Sequence, residues 1–155
     1  EKMVEEGRKI SKMDKHILVK VPLTVEGLKA VSILSKMRIR CNVTLCFSAN
    51  QALLAAKAGA WCVSPFVGRV NDEGWDGIQL VRDIKTVFDN YGFKTKILAA
   101  SIRSATHVLD CAEIGVDIVT MPYKVFTKLY YNPLTDKGMD QFEKDWNEYK
   151  KILKK

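Results

Sequence analysis

Ala56-x-x-Gly59-Ala60-x-x-Val63-Ser64-Pro65 is echoed further along the chain by Ala112-x-x-Gly115-Val116-x-x-Val119-Thr120-x-Pro122. Each phrase reads as a helix end, a glycine turn and a strand that closes on a hydroxyl residue. A recurring unit of this kind, with no hairpin signal between copies, predicts an α/β protein with a parallel sheet and helical crossovers.

The flanking sequence extends the pattern. Strands are expected over His16 to Val21, Arg40 to Cys46, Trp61 to Pro65, Lys96 to Ser101 and Asp117 to Met121. Ala30, Ile33, Leu34 and Met37 share a helical spacing and predict one apolar face. Ser48 suits the start of a helix burying Ala52, Ala55 and Ala56. Ile78, Val81, Ile84, Phe88 and Tyr91 form another stripe, ended by Gly92. Ser104 suits a further helix with Val108, Cys111 and Ala112 inward. A last helix is expected over about 136–153. In it Met139, Phe142, Trp146, Tyr149 and Leu153 recur at alternating spacings of three and four. That seam packs either on its own domain or on a neighbouring subunit.

Side chains along a strand alternate faces. Leu18 therefore pairs with Lys20, Asn42 with Thr44, and Ser64 with Phe66, while Ala99, Ser101 and Arg103 form one set. Several strands thus carry polar groups towards their C-terminal ends, where a β/α barrel holds its active site. Five strands are expected, whereas a complete barrel uses eight βα units and roughly 250 residues. The 155-residue chain is therefore an open sheet or one partial β/α barrel, the C-terminal part of a (β/α)8 TIM-barrel fold. It starts at Glu1 amid helix-forming charged residues, so an upstream segment is expected.

Within Ile17-Leu18-Val19-Lys20-Val21-Pro22, one lysine interrupts an apolar run. An interior site disfavours the charged form of a lysine, and the neutral amine is the nucleophile that forms a Schiff base with a carbonyl. The competing reading is a lysine on an exposed or edge strand, where it discourages aggregation.

Composition narrows the classes. The chain is 47% hydrophobic and 28% charged, with a formal net charge of +7. No apolar run approaches the ~20 residues that cross a bilayer, and no signal-peptide pattern opens the chain. Cys41, Cys46, Cys62 and Cys111 form no C-x-x-C pair and read as reduced core residues of a cytoplasmic protein. The positive charge attracts anions. No aromatic-basic stripe marks nucleic acid, so small phosphorylated substrates fit better. Asp72, Glu73 and Asp76 read as caps for the next helix, and His16 and His107 as structural or surface residues.

Val19-Lys20-Val21-Pro22, Asn42-Val43-Thr44, Ser64-Pro65-Phe66-Val67-Gly68-Arg69 and Ala99-Ala100-Ser101-Ile102-Arg103 occur in this order. Together they resemble the transaldolase family, in particular its short microbial branch, which includes fructose-6-phosphate aldolase. The resemblance runs from about Ile17 into the C-terminal helix. It implies class I aldol chemistry with no metal and no organic cofactor. Lys20 matches the Schiff-base lysine, and Thr44 the hydroxyl that helps hold the catalytic water. Asn42 and Ser64 match substrate-binding positions. Arg69, Ser101 and Arg103 match the phosphate-binding set, which suits the bidentate guanidinium fork. Phe66 stands where the aldolases carry tyrosine, which favours transfer to a sugar acceptor over simple cleavage. The resemblance also implies a homo-oligomer joined through the C-terminal helix. The family uses an aspartate, an asparagine and a third polar group on its first three strands, and this chain offers no match for them. A truncated or cleaved transaldolase, a piece that pairs with another chain, or part of a longer protein is expected.

Overall fold

The computed structural model describes residues 1–153. Five parallel strands run in simple order: β1 (Val19–Pro22), β2 (Cys41–Cys46), β3 (Cys62–Pro65), β4 (Lys96–Ala99) and β5 (Ile118–Val119). Between them lie α2 (Val25–Lys36), α3 (Ala49–Lys57), the short α4 (Val67–Asp72), α5 (Gly77–Tyr91) and α6 (Ala105–Ile114). The helix α1 (Lys2–Ser11) precedes the sheet, and α7 (Tyr123–Phe126), a 3-10 turn (Thr127–Leu129) and α8 (Pro133–Leu153) follow it. This is a β/α barrel architecture of which the chain holds five strands, so the sheet has two edges, β1 and β5.

Local chemistry explains the helix starts. Thr24, Ser48 and Ser104 each accept a backbone N–H of the first turn of α2, α3 and α6. Asp76 does the same for α5 with two amides. Asp72 and Glu73 do not cap that helix: Glu73 follows the end of α4, and Asp72 turns to an arginine described below. Gly92 and Gly115 end α5 and α6 with φ of 61° and 81°, a left-handed backbone that glycine adopts without strain.

Helices cover one face of the sheet. Val19, Val21, Cys41, Val43, Val63, Ile97 and Ala99 point into a single core with Val31, Leu34, Ala52, Ala55, Val81, Ile84 and Phe88. The four cysteines are free and buried. Burial pushes the Cys46 and Cys62 thiols up to about 12 and those of Cys41 and Cys111 to about 11.

Expectations on four helices are corrected. The buried ridge of α2 is Gly27, Ala30, Val31 and Leu34, with Ile33 and Met37 exposed. That helix is apolar over much of its circumference, so spacing alone did not choose its inner face. Tyr91 and Ala112 likewise face out, where α5 and α6 turn away from the core. The fourth is α8, which begins at Pro133 and buries no residue. Its seam of Met139, Phe142, Trp146, Tyr149 and Leu153 is exposed throughout, so it does not pack on its own domain.

Candidate active site

Lys20 stands directly opposite Asn42 in the β1–β2 register, and Asn42 opposite Cys62 of β3. Val19 and Val21 are committed to the core, so period-two alternation puts Lys20 on the face that the helices leave open. Lys20 itself is exposed. The expectation of an enclosed amine is thus corrected: Lys20 is on the face the helices leave open, but β1 is an edge strand and nothing among the described residues covers it.

Asn42 and Ser64 meet on that open face. The Ser64 hydroxyl donates to Asn42 Oδ1 at 2.7 Å, and Ser64 is only 2% exposed. Thr44 lies one side-chain repeat further along β2, opposite Pro22. Its Oγ1 is buried with no hydrogen-bond partner, a condition that costs about 1–3 kcal/mol. Immediately beyond it the β2–β3 register shifts, and Leu45 adopts a left-handed φ of 62°. Bulges of this kind re-aim side chains beside active sites.

The sheet's C-terminal rim gathers the remaining residues. Phe66 precedes α4 with its ring edge-on to Phe47, 5.8 Å between centroids. The Arg69 guanidinium lies 4.9 Å from the centre of the Phe66 ring, a cation–π arrangement. Among the described residues no carboxylate lies within ion-pair distance of Arg69.

Ser101 departs from strand logic. Strand β4 ends at Ala99, Ala100 bridges Phe66, and Ser101 has a φ of 57°. Ala99 is buried in the core while Arg103 is exposed, so the expected shared face of Ala99, Ser101 and Arg103 does not exist. The turn nonetheless brings Ser101 and Arg103 against α4. The Gly68 amide donates to the Ser101 carbonyl at 3.0 Å. A Cβ on Gly68 would fall 2.4 Å from that oxygen and 2.6 Å from Arg103 Nε, so only glycine permits the approach. Ser101, Arg103, Thr120 and Met121 line a cleft of about 400 Å3.

Two residues for which the sequence suggested no part in the site, Asp72 read as a helix cap and His107 as structural or surface, complete this corner. Asp72 binds Arg103 through both carboxylate oxygens, with Oδ2 accepting from Nη2 at 2.6 Å. The hydrogen bond from Arg103 holds the Asp72 carboxyl below the ordinary carboxylate value, and Asp72 in turn raises Arg103. His107 sits 3.4 Å from the Arg103 amide and 3.3 Å from Asn71 Nδ2, tying α4 to the start of α6. Its place in the network is structural. Arg69 and Asp72, three apart on one short helix, were the available signal for this corner, but a partner 31 residues away leaves no mark in local spacing.

A parallel β/α sheet in simple strand order, with helices on one face, places the chain in the β/α barrel class. Comparison with known proteins narrows this. Residues 1–153 match the family model for transaldolase/fructose-6-phosphate aldolase. The chain is 59% identical over 151 residues to a probable transaldolase of Kosmotoga olearia, covering 97% of this chain and 69% of that one. It is 55% identical over 144 residues to one from Caulobacter vibrioides (93% and 66%) and 57% identical over 151 residues to one from Clostridium tetani (97% and 71%). The chain therefore belongs to the transaldolase/fructose-6-phosphate aldolase family. It spans about two-thirds of the length of these relatives. Among solved structures, a flavocytochrome b2 mutant with benzoylformate aligns over 61% of this chain and 26% of that one, with a TM-score of 0.49 at 16% identity.

Proposed function

We propose that this chain carries transaldolase-type class I aldol chemistry, moving a dihydroxyacetone unit between sugar phosphates through a Schiff base on Lys20. The amine adds to the C2 carbonyl of a ketose phosphate and water leaves, giving an iminium. The C4 hydroxyl loses its proton, the C3–C4 bond breaks, and its electron pair enters the iminium. An aldehyde phosphate departs, leaving an enamine on Lys20. Attack of that enamine on an acceptor aldehyde, then hydrolysis, returns the free lysine.

The observation that carries this reading is the cluster on the uncovered face. Lys20, the Asn42–Ser64 pair and the unpartnered Thr44 hydroxyl sit on the adjacent strands β1, β2 and β3, with Lys20 opposite Asn42. In this reading Thr44 holds the water that leaves and returns. Asn42 and Ser64 bind substrate hydroxyls. Arg69, Ser101 and Arg103 take the phosphate, and Arg69 has unpaired donors to offer. Phe66 has no phenol to move a proton, which favours transfer over the fructose-6-phosphate aldolase reaction. The protein works in the cytoplasm as a homo-oligomer that covers α8.

A second reading has one observation in its favour, the exposure of Lys20. In it the chain binds sugar phosphates through the arginines without a covalent step. Borohydride reduction with fructose 6-phosphate separates the two. The covalent reading requires a reduced adduct that Lys20→Met abolishes. The binding reading requires phosphate-ester affinity that falls in Arg69→Ala or Arg103→Ala, with no adduct.

A further inference from the structure

The opposite end of the sheet presents a second concentration of positive charge. Arg40, Trp61 and Thr95 immediately precede β2, β3 and β4, so this is the N-terminal rim, away from Thr44, Ser64 and Ser101. A cleft of about 380 Å3 opens there between Arg38, Arg40, Gly59, Trp61, Phe93 and Lys94. No carboxylate lines it. Among the described residues, Arg38, Arg40 and Lys94 make no ion pair. Arg40 lies 5.6 Å from the centre of the Trp61 ring and donates through Nη2 to the Lys15 carbonyl, leaving its other donors free; Lys96, paired with Asp117, approaches the same ring at 5.9 Å, and Lys57 sits 5.4 Å from Phe93. The hydroxyls of the lining are spent on the fold, Thr95 donating to the Ala60 carbonyl and Ser35 to those of Ser32 and Ala58. What the cleft offers a ligand is therefore cationic.

An independent observation singles out Arg38. Helices α3, α5 and α6 are each followed by a left-handed glycine, Gly59, Gly92 and Gly115. Helix α2 is followed at the equivalent place by Arg38, with a φ of 59°. Its amide donates to the Ser35 carbonyl, and the next amide, Ile39, donates to Leu34, the bonding of a helix end that ordinarily calls for glycine. A side chain in this conformation is strained, and strain retained against an available glycine points to a use for the side chain.

We propose that this N-terminal cleft is a second anion site, built for a small, multiply charged phosphate and donated to by Arg38, Arg40 and Lys94. Concave walls and like charges concentrate an anion there, and the cleft's size suits a small molecule. The site goes beyond the aldol reading and does not depend on it.

Pyrophosphate is the probe, titrated into the 155-residue chain by calorimetry and by amide NMR. Saturable shifts are expected at Arg38, Gly59 and Lys94, and they persist in an Arg69→Ala/Arg103→Ala variant. Arg38→Gly relieves the left-handed strain, so it keeps or raises the melting temperature while weakening binding at this cleft by about tenfold or more. Lys94→Gln weakens it in the same sense. The proposal is overturned if the cleft amides show no saturation, if Arg38→Gly binds pyrophosphate as the parent does, or if binding vanishes with Arg69 and Arg103 alone.

Discussion

The hydroxyl of Ser64 on β3 and the amide oxygen of Asn42 on β2 are joined by a 2.7 Å hydrogen bond, and the hydroxyl of Thr44, two residues along from Asn42, has no partner at all. Similar groups in one neighbourhood thus have opposite energetics. Ser64→Ala leaves the Asn42 oxygen without its donor and is expected to cost about 0.5–1.5 kcal/mol in urea denaturation. Thr44→Val removes a buried hydroxyl that nothing satisfies, so stability is expected to hold or rise while imine formation slows. A large loss of stability in Thr44→Val would mean that the hydroxyl is engaged.

Gly68 and Gly138 predict opposite responses to the same substitution. At Gly68 a Cβ collides with the Ser101 carbonyl, a backbone atom that cannot step aside. Gly68→Ala is expected to destabilise by about 1–3 kcal/mol and to weaken phosphate-ester binding by displacing Arg103. Gly138 lies within α8 with open space around its Cα. Gly138→Ala is expected to stabilise by about 0.5–1 kcal/mol through helix propensity. Thermal melts of the two variants check both signs.

The Asp72–Arg103 pair makes a pH prediction. The folded-state value of Asp72 is depressed, so its contribution is present above the unfolded value of about 3.9 and is lost as pH falls through the lower folded value. Asp72→Asn is expected to lower stability modestly at neutral pH and to flatten the profile in that acidic window, the variant and the parent converging once pH falls below the folded value. Both side chains are about half exposed, so salt is expected to shrink the effect. Denaturation midpoints of variant and parent compared at neutral pH and in the acidic window, at low and high ionic strength, test this.

The exposed seam of α8 predicts self-association. Phe142, Trp146 and Tyr149 present apolar surface that no part of the described chain covers. Sedimentation of the parent chain is expected to show an oligomer, and Phe142→Glu/Trp146→Glu to shift it towards monomer. A monomeric parent at micromolar concentration would contradict the proposed role of this helix.

Much of the architecture was legible because it follows local rules. The β-branched runs around Val19, Val43 and Val63, and the glycine turns at Gly59 and Gly115, mark strand and turn in the sequence itself. Period-two alternation correctly separated Lys20 and Asn42 from the core valines. It failed at Ser101, where a left-handed residue ends the alternation without glycine to announce it. The inner face of α2 was hidden by an excess of apolar residues. Asp72 was misread because its partner is remote in sequence, and the exposure of Lys20 depends on what covers a sheet face, which no local pattern records.

The most direct measurement of the central claim is to reduce the chain with borohydride in the presence of fructose 6-phosphate, digest it, and locate the modified lysine by peptide mass spectrometry. The account predicts one dominant modified peptide containing Lys20, absent without the sugar and slowed in Thr44→Val. Modification spread over the surface lysines, or confined to a site other than Lys20, would contradict it.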